Sequence, residues 1–565
     1  MSGNAREYLD SFAVQAAITQ ALGQIISTRP SNPVKALGKL LIEAEEKREA
    51  AKMLAEIAEM TGPSGFDYII VCCSNLAAEN YWQARLEATV KAVTGAAGVV
   101  LCVHEDWNGG AGNGLGTLYA FQKAAAKAQA SGIDLAAAMR DGAAVALYHT
   151  AGKGTRMAPL PGAENNNKPG VKLPSLLDIG GEQQPITVLE CVMRQTSSYA
   201  AARKGRCSVF WGDQIFVPSC GIAASSFPAD ILAALRPMPT KAEWEAEELH
   251  QYGLIAVDPS GAATQLEKVT YDTAKQFLPP DVEKVGTSLG SFSLTAALME
   301  ALLGEFAPEL AAKSACLDSD PHFWMPLTLK EADYVAVMSK KGTSAAEATA
   351  HYARMKSFRA KFDPSGGAVL ACVDVGTNAY WWDYGRLGLY FDNNLLLAED
   401  SASAHALRTF LGLHPHRQQE SKLGVGMSVD ENSVILKSKI AKGKIGKGNI
   451  LVNVSAPSVD VEGCILVNVT SSVPITGKGG LLYNVVHEAA EGTLDCSAVR
   501  ADVFMPGQHL QMMSTPETDG GTAWKVQLDA NPMSFEGVYK ANQSLDVGEC
   551  TALAMQAHAA ARAKQ

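Results

Sequence analysis

Between residues 34 and 61 apolar side chains recur at helical spacing (Leu37, Leu40, Leu41, Ala44, Leu54, Ile57). They alternate with Glu and Lys and end at Gly62-Pro63, which predicts an amphipathic helix. Three strand-sized apolar runs follow at 66–73, 98–103 and 143–148, separated by helix-patterned stretches at 76–93 and 117–129. Strand alternating with helix predicts a parallel sheet covered on both faces. Runs at 207–211, 253–257, 290–294 and 369–373, with helical patterns at 187–199 and 295–303, carry this texture to about residue 410.

The pattern changes near His414 and His416, read as a hinge loop. Four similar segments then begin at Ser433, Gly448, Gly463 and Gly479, each with a core such as Ile-Leu-Val-Asn-Val. Gly448 to Gly463 is 15 residues and Gly463 to Gly479 is 16, a period suited to one coil of a short β-solenoid. The Ala- and Gln-rich end, 551–565, predicts a helical cap. The expected fold class is α/β, a doubly wound, mostly parallel, Rossmann-like sheet followed by a C-terminal β-solenoid. The expected domains are a helical segment (1–65), a catalytic domain (66–412), the solenoid (420–500) and a cap (501–565).

Composition narrows the function. The 565 residues are 47% hydrophobic and 19% charged, with 50 glycines, enough for several buried cores. A net charge of −11 argues against broad nucleic-acid binding and requires that any anionic ligand meet a local cationic site. No apolar run approaches the roughly 20 residues that span a bilayer. The N-terminus lacks a signal pattern, so a cytoplasmic location is expected. Eleven scattered cysteines without a Cys-x-x-Cys pair suggest reduced core thiols. Lys437, Lys439, Lys442, Lys444 and Lys447 read as a solvated face of the solenoid.

The richest segment for chemistry is Leu147-Tyr-His-Thr-Ala-Gly152-Lys-Gly154-Thr155-Arg156-Met, followed by Lys168-Pro169. An apolar strand that runs into a glycine turn lets backbone N–H groups approach a polyphosphate, and Arg156 and Lys168 can neutralise it. The segment does not fit the Walker pattern.

Gly152-Lys-Gly154-Thr155-Arg156-Met with Lys168-Pro169 resembles the signature of the sugar nucleotidyltransferases, the NDP-sugar pyrophosphorylases. The resemblance implies catalytic roles for Arg156 and Lys168, with Lys172 as the alternative phosphate ligand, and nucleotide contacts at Gly152, Gly154 and Thr155. Gly212-Asp213 and Asp374-Val-Gly376-Thr377 are similar to the family's strand-end carboxylates. On that basis Asp213 and Asp374 would hold Mg²⁺, a cation suited to hard oxygen donors, with Asp383 the candidate most easily confused with Asp374. Gly253, Glu267, Lys268 and Ser288 resemble the sugar-phosphate side, although Val269 stands where the family has proline and Ser288 where it has asparagine.

The run from Asn108 to Thr117, with Gly112, Asn113, Gly114 and Gly116, looks like the family's base-binding loop. It precedes the signature, an order similar to the fucose-1-phosphate guanylyltransferases.

The resemblance thus implies condensation of a nucleoside triphosphate with a hexose 1-phosphate to an NDP-sugar and pyrophosphate. UTP with glucose 1-phosphate is the first expectation, and a GTP-using guanylyltransferase the alternative. Two other classes compete: a glycosyltransferase using Asp318 and Asp320, and a non-catalytic nucleotide-sugar-binding scaffold. Tyr380, Trp381 and Trp382 read as core packing. Neither nucleic acid nor membrane is an expected partner, and the solenoid's coil edges are the expected surface for a homo-oligomer.

Overall fold

The computed structural model describes residues 14–565 except 61, 63, 279–281 and 283. It is a mixed α/β structure with parallel-rich sheets and a C-terminal strand-rich region. Helices Val14–Thr28 and Pro33–Met60 open it, and the second, close to the predicted span, buries Met53, Ile57 and Met60. No described helix is long and apolar enough to cross a membrane.

Nine strands form the main sheet: β1 (Tyr68–Cys73), β2 (Val99–His104), β3 (Val145–His149), β4 (Arg206–Trp211), β5 (Ala229–Arg236), β6 (Gly253–Val257), β7 (Ala263–Glu267), β8 (Lys284–Thr295) and β9 (Leu370–Asp374). Their order is β7-β6-β8-β4-β3-β1-β2, with β5 joining β8 to β9. β1 pairs in parallel with β2 and β3, β3 with β4, and β5 with β9, while β8 runs antiparallel to its neighbours.

The reason is visible in β1. Ile69, Val71 and Cys73 enter one core, Ile70 and Cys72 the other, so a continuous apolar run is what a sheet covered on both faces requires. The sequence pattern missed β5 and β7, as well as the hairpin Lys172–Ile179/Glu182–Thr187. β7 and the hairpin are interrupted by polar residues, whereas β5 carries the unbroken apolar run 231–235.

The repeated segments become strands Val434–Leu436, Ile450–Glu462, Ile465–Ser471, Leu481–His487 and Val499–Met505, paired in parallel so that Val434, Ile450, Ile465, Leu481 and Val499 align. Alternate positions serve two cores. Val434, Ile450, Ile465 and Leu481 join the α/β core, whereas Ile435, Leu451, Leu466 and Leu482 fill the region's own interior. The strand period of two therefore fastens the strand-rich region to the sheet domain along its length.

After an antiparallel pair, Val499–Met505 with Gln508–Ser514, helices Phe535–Asn542 and Val547–Ala563 return to the α/β region. Side-chain amides tie them down. Asn165 donates to the Asp546 carbonyl (3.2 Å), Asn166 to that of Tyr539 (2.7 Å), and Asn542 to that of Gly162 (2.9 Å).

Leu466→Ala empties a fully buried position of the strand-rich interior. It should cost about 2–5 kcal/mol in urea unfolding, while Val425→Ser, at a fully exposed position, should change stability by less than about 0.5 kcal/mol.

Candidate functional site

Beyond β3 the chain turns through Gly152, which has open space around it, into a single 3-10 turn, Thr155–Met157. Gly154 has φ +68°, and a β carbon there would lie 3.1 Å from the side-chain carbons of Lys168. Glycine at this position lets the lysine stem lie against the turn. The Lys168 ammonium is ion-paired with the Asp213 carboxylate. Asp213 follows β4, and the amide of Gly212 donates to the His149 carbonyl (3.2 Å), which sets the Gly-Asp turn beside the end of β3.

A second carboxylate joins this group. Strand Gln214–Val217 pairs with Tyr380–Asp383, which brings Asp383 opposite Gln214, and the Tyr384 amide donates to the Asp213 carbonyl (3.0 Å). A β carbon on Gly385 would lie 2.9 Å from Asp383 Oδ1 and 3.2 Å from Asp213 Oδ2, so both carboxylates face one small space. Burial, chiefly, and then the Asp213 charge raise the pKa of Asp383, while the Gly385 amide, Lys168 and Arg156 oppose that rise.

Asp374, by contrast, ends β9, and its Oδ1 accepts from the amides of Gly376 (2.9 Å) and Leu235 (3.1 Å). In the strand order β4-β8-β5-β9 it stands three strands from β4, about 14 Å at ordinary strand spacing. The expectation that Asp374 partners Asp213 is therefore corrected: the neighbour is Asp383, reached through a separate two-stranded antiparallel pair rather than through the main sheet. Lys172 is also removed from the site, because its ammonium bonds Glu164 (2.7 Å) and its main chain is held by Tyr483 and Tyr390.

The run expected to lie against the base opens a helix. Gly112, Asn113, Gly114 and Gly116 form the first turns of helix Gly112–Gln129. The amides of Gly114 and Leu115 donate to the Leu317 carbonyl (2.9 and 3.1 Å), and that of Asn113 to the Asp318 carboxylate (2.9 Å). Three N–H groups of the helix start are thus satisfied by the 317–318 segment. Gly112 and Gly114 are small because that backbone lies within 3 Å of where their β carbons would be. Asp318 is accordingly a brace for this helix.

Gly116 alone faces the strand ends, toward the Glu105 carboxylate and the ring of His149. His149 bonds Thr117 (2.9 Å) and stacks on Trp211 with ring centroids 5.4 Å apart.

On the far side of the sheet, Ser288 sits at a β8 irregularity and its hydroxyl accepts from the Gly290 amide (3.0 Å). Gly290 has φ +74°, and its β carbon would meet the Trp211 indole nitrogen at 2.5 Å, so only glycine lets the turn approach that ring. Gly253 opens β6. Lys268 is exposed, and its amide bonds the Tyr252 carbonyl (3.1 Å). The side chain of Glu267 lies outside the described residues. Trp382 is core, whereas Trp381 is 39% exposed with its ring 6.4 Å from that of Tyr252, itself 40% exposed. The aromatic segment is thus divided, one ring inward and one beside the sugar-side candidates.

The structure brings together Gly152, Gly154, Arg156, Lys168 and Asp213. Sequence reasoning named Asp383 only as an alternative and gave no role to Glu105 or His149, while Tyr252 stood in its sugar-side run Tyr252-Gly253-Leu254. The strand ends at residues 104 and 149 were the available signal for Glu105 and His149. Comparison with known protein families and with curated proteins gives no significant match.

Burial lowers the pKa of His149 from 6.5 to about 4. A depressed histidine binds fewer protons folded than unfolded, so its contribution to stability is whole above pH 6.5 and is lost as the pH falls toward 4. His149→Gln should therefore lose about 2 kcal/mol less than the parent chain between pH 7 and pH 4.5 in urea titrations. Equal losses would remove this role.

Proposed function

We propose that this chain is a sugar-1-phosphate nucleotidyltransferase, with UTP and glucose 1-phosphate as the first substrate pair and GTP as the alternative nucleotide. The observation that carries the reading is the convergence of a glycine turn, Arg156, Lys168, Asp213 and Asp383 at the ends of β3 and β4. On the same reading the main sheet is a doubly wound, Rossmann-like domain, and pairings repeating every 15–18 residues support a short β-solenoid for the strand-rich region.

In the reaction an oxygen of the hexose 1-phosphate forms a bond to the α-phosphorus of the triphosphate. The bond from that phosphorus to the β-bridging oxygen breaks, and pyrophosphate leaves with the electron pair. Such transfers depend mainly on positioning and charge stabilisation. Arg156 neutralises the departing β- and γ-phosphates, and Lys168, steered by Gly154, lies toward the α-phosphate. The open backbone turn at Gly152 offers N–H groups to phosphate oxygens. Lys268, on the Tyr252 side, orients the sugar phosphate.

Asp213 and Asp383 fit a magnesium ion, since two hard carboxylates face one space and Mg²⁺ completes its shell with phosphate and water. When bound, the ion supplies charge neutralisation to the triphosphate.

Pyrophosphate release over a panel of nucleoside triphosphates and hexose 1-phosphates, with Mg²⁺, tests the reading. Asp213→Asn, Asp383→Asn and Arg156→Ala should each lower kcat by roughly 10²–10³, whereas Asp374→Asn should change it less than about tenfold. No release with any pair, or Asp374→Asn as damaging as Asp383→Asn, would overturn it.

A further inference from the structure

Away from the site just described, a cavity of about 450 Å³ opens where helix Leu76–Thr94, the 163–165 segment, the strand-rich region and the terminal helix Val547–Ala563 meet. It falls within the usual size of small-molecule sites. Two of its wall residues carry buried amide oxygens with no hydrogen-bond partner, Asn165 Oδ1 and Asn453 Oδ1. Their amide nitrogens are already used, by the Asp546 carbonyl (3.2 Å) and by Asn468 Oδ1 (2.8 Å). Neither oxygen has a donor among the described residues, an unsatisfied state for a buried acceptor at a cavity wall.

The charges on the wall point to an anionic group as well. Arg85, Lys172 and Lys437 are paired with Glu190, Glu164 and Glu182 at 2.9, 2.7 and 3.1 Å. Arg562 differs: it donates to the Thr470 hydroxyl and the Asn453 carbonyl, both at 3.1 Å, and makes no ion pair among the described residues. Four cationic side chains thus line the space against two carboxylates, Glu164 and Glu182. Tyr81, Phe504 and Met555 add apolar surface of the kind on which the C–H face of a sugar ring rests.

We propose that this cavity is a binding site for a small anionic polyol of the sugar-phosphate class, its hydroxyls donating to Asn165 and Asn453 and its phosphate facing Arg562. The wall at 163–165 lies on the chain between Arg156 and Lys168, so a ligand there touches the segment that positions both. The proposal does not rest on the nucleotidyl-transfer reading.

Calorimetric titration of the 565-residue chain tests it without turnover, using glucose 6-phosphate, glycerol 3-phosphate, glucose and inorganic phosphate. Glucose 6-phosphate should bind saturably, and glucose or phosphate alone at least about tenfold more weakly. Arg562→Gln should weaken binding at least about tenfold. Ala559→Trp, on an exposed position of the wall that leaves core packing intact, should abolish it by filling the space. Arg156→Ala should leave it unchanged. The proposal is overturned by absence of binding in the parent chain, by unchanged affinity in Ala559→Trp, by equal affinity for glucose, or by loss in Arg156→Ala, which would place the ligand at the other site. Failure of pyrophosphate release leaves every one of these readouts in force.

Discussion

The arrangement depends on the two-sided burial of the strand-rich region. Because side chains alternate along a strand, the same Ile-Leu-Val repeat fills that region's own interior with Leu451, Leu466 and Leu482 and presses Ile450, Ile465 and Leu481 into the core shared with the sheet domain. Burying apolar area is non-directional, but burying it in register along several coupled strands permits one seating only. The C-terminal region is thereby a part of the scaffold rather than an appendage.

That seating is felt at the chemistry-bearing turn. Tyr483 bonds both Glu164 and the Lys172 amide, and Asn542 and the Tyr539 carbonyl hold Gly162 and Asn166. Gly162, Glu164 and Asn166 occupy the short stretch between Arg156 and Lys168. Gly520 comes closer still, with its missing β carbon allowing approach to the Thr155 carbonyl. A turn rich in glycine has much conformational freedom to lose, and these polar ties from distant parts of the chain restrict it.

The charge arrangement follows from the same packing. Burial first, and then the neighbouring Asp213 charge, raise the proton affinity of Asp383, and Lys168 and Arg156 oppose that rise. The Lys172–Glu164 pair, buried a few residues away, serves architecture, because both its charges and the adjoining main chain are committed to protein partners. Two lysines four residues apart therefore have different roles, and the packing around each is what separates them.

The sequence by itself determined the alternating strands and helices, the signature turn with Arg156 and Lys168, and the repeat, because these are local patterns: apolar period, glycine placement and short spacing. Seven of the nine sheet strands were legible in this way. Which carboxylate joins Asp213 was decided only by tertiary structure, since Asp383 arrives on a strand whose antiparallel partner is more than 150 residues away. The setting of the glycines at 112 and 114 was likewise decided at a distance, by the backbone at residue 317, whose carbonyl takes the amides of Gly114 and Leu115. Strand ends, turns and repeats are written in neighbouring residues; the pairing of charges and the satisfaction of backbone donors depend on which remote segments the shared core brings alongside.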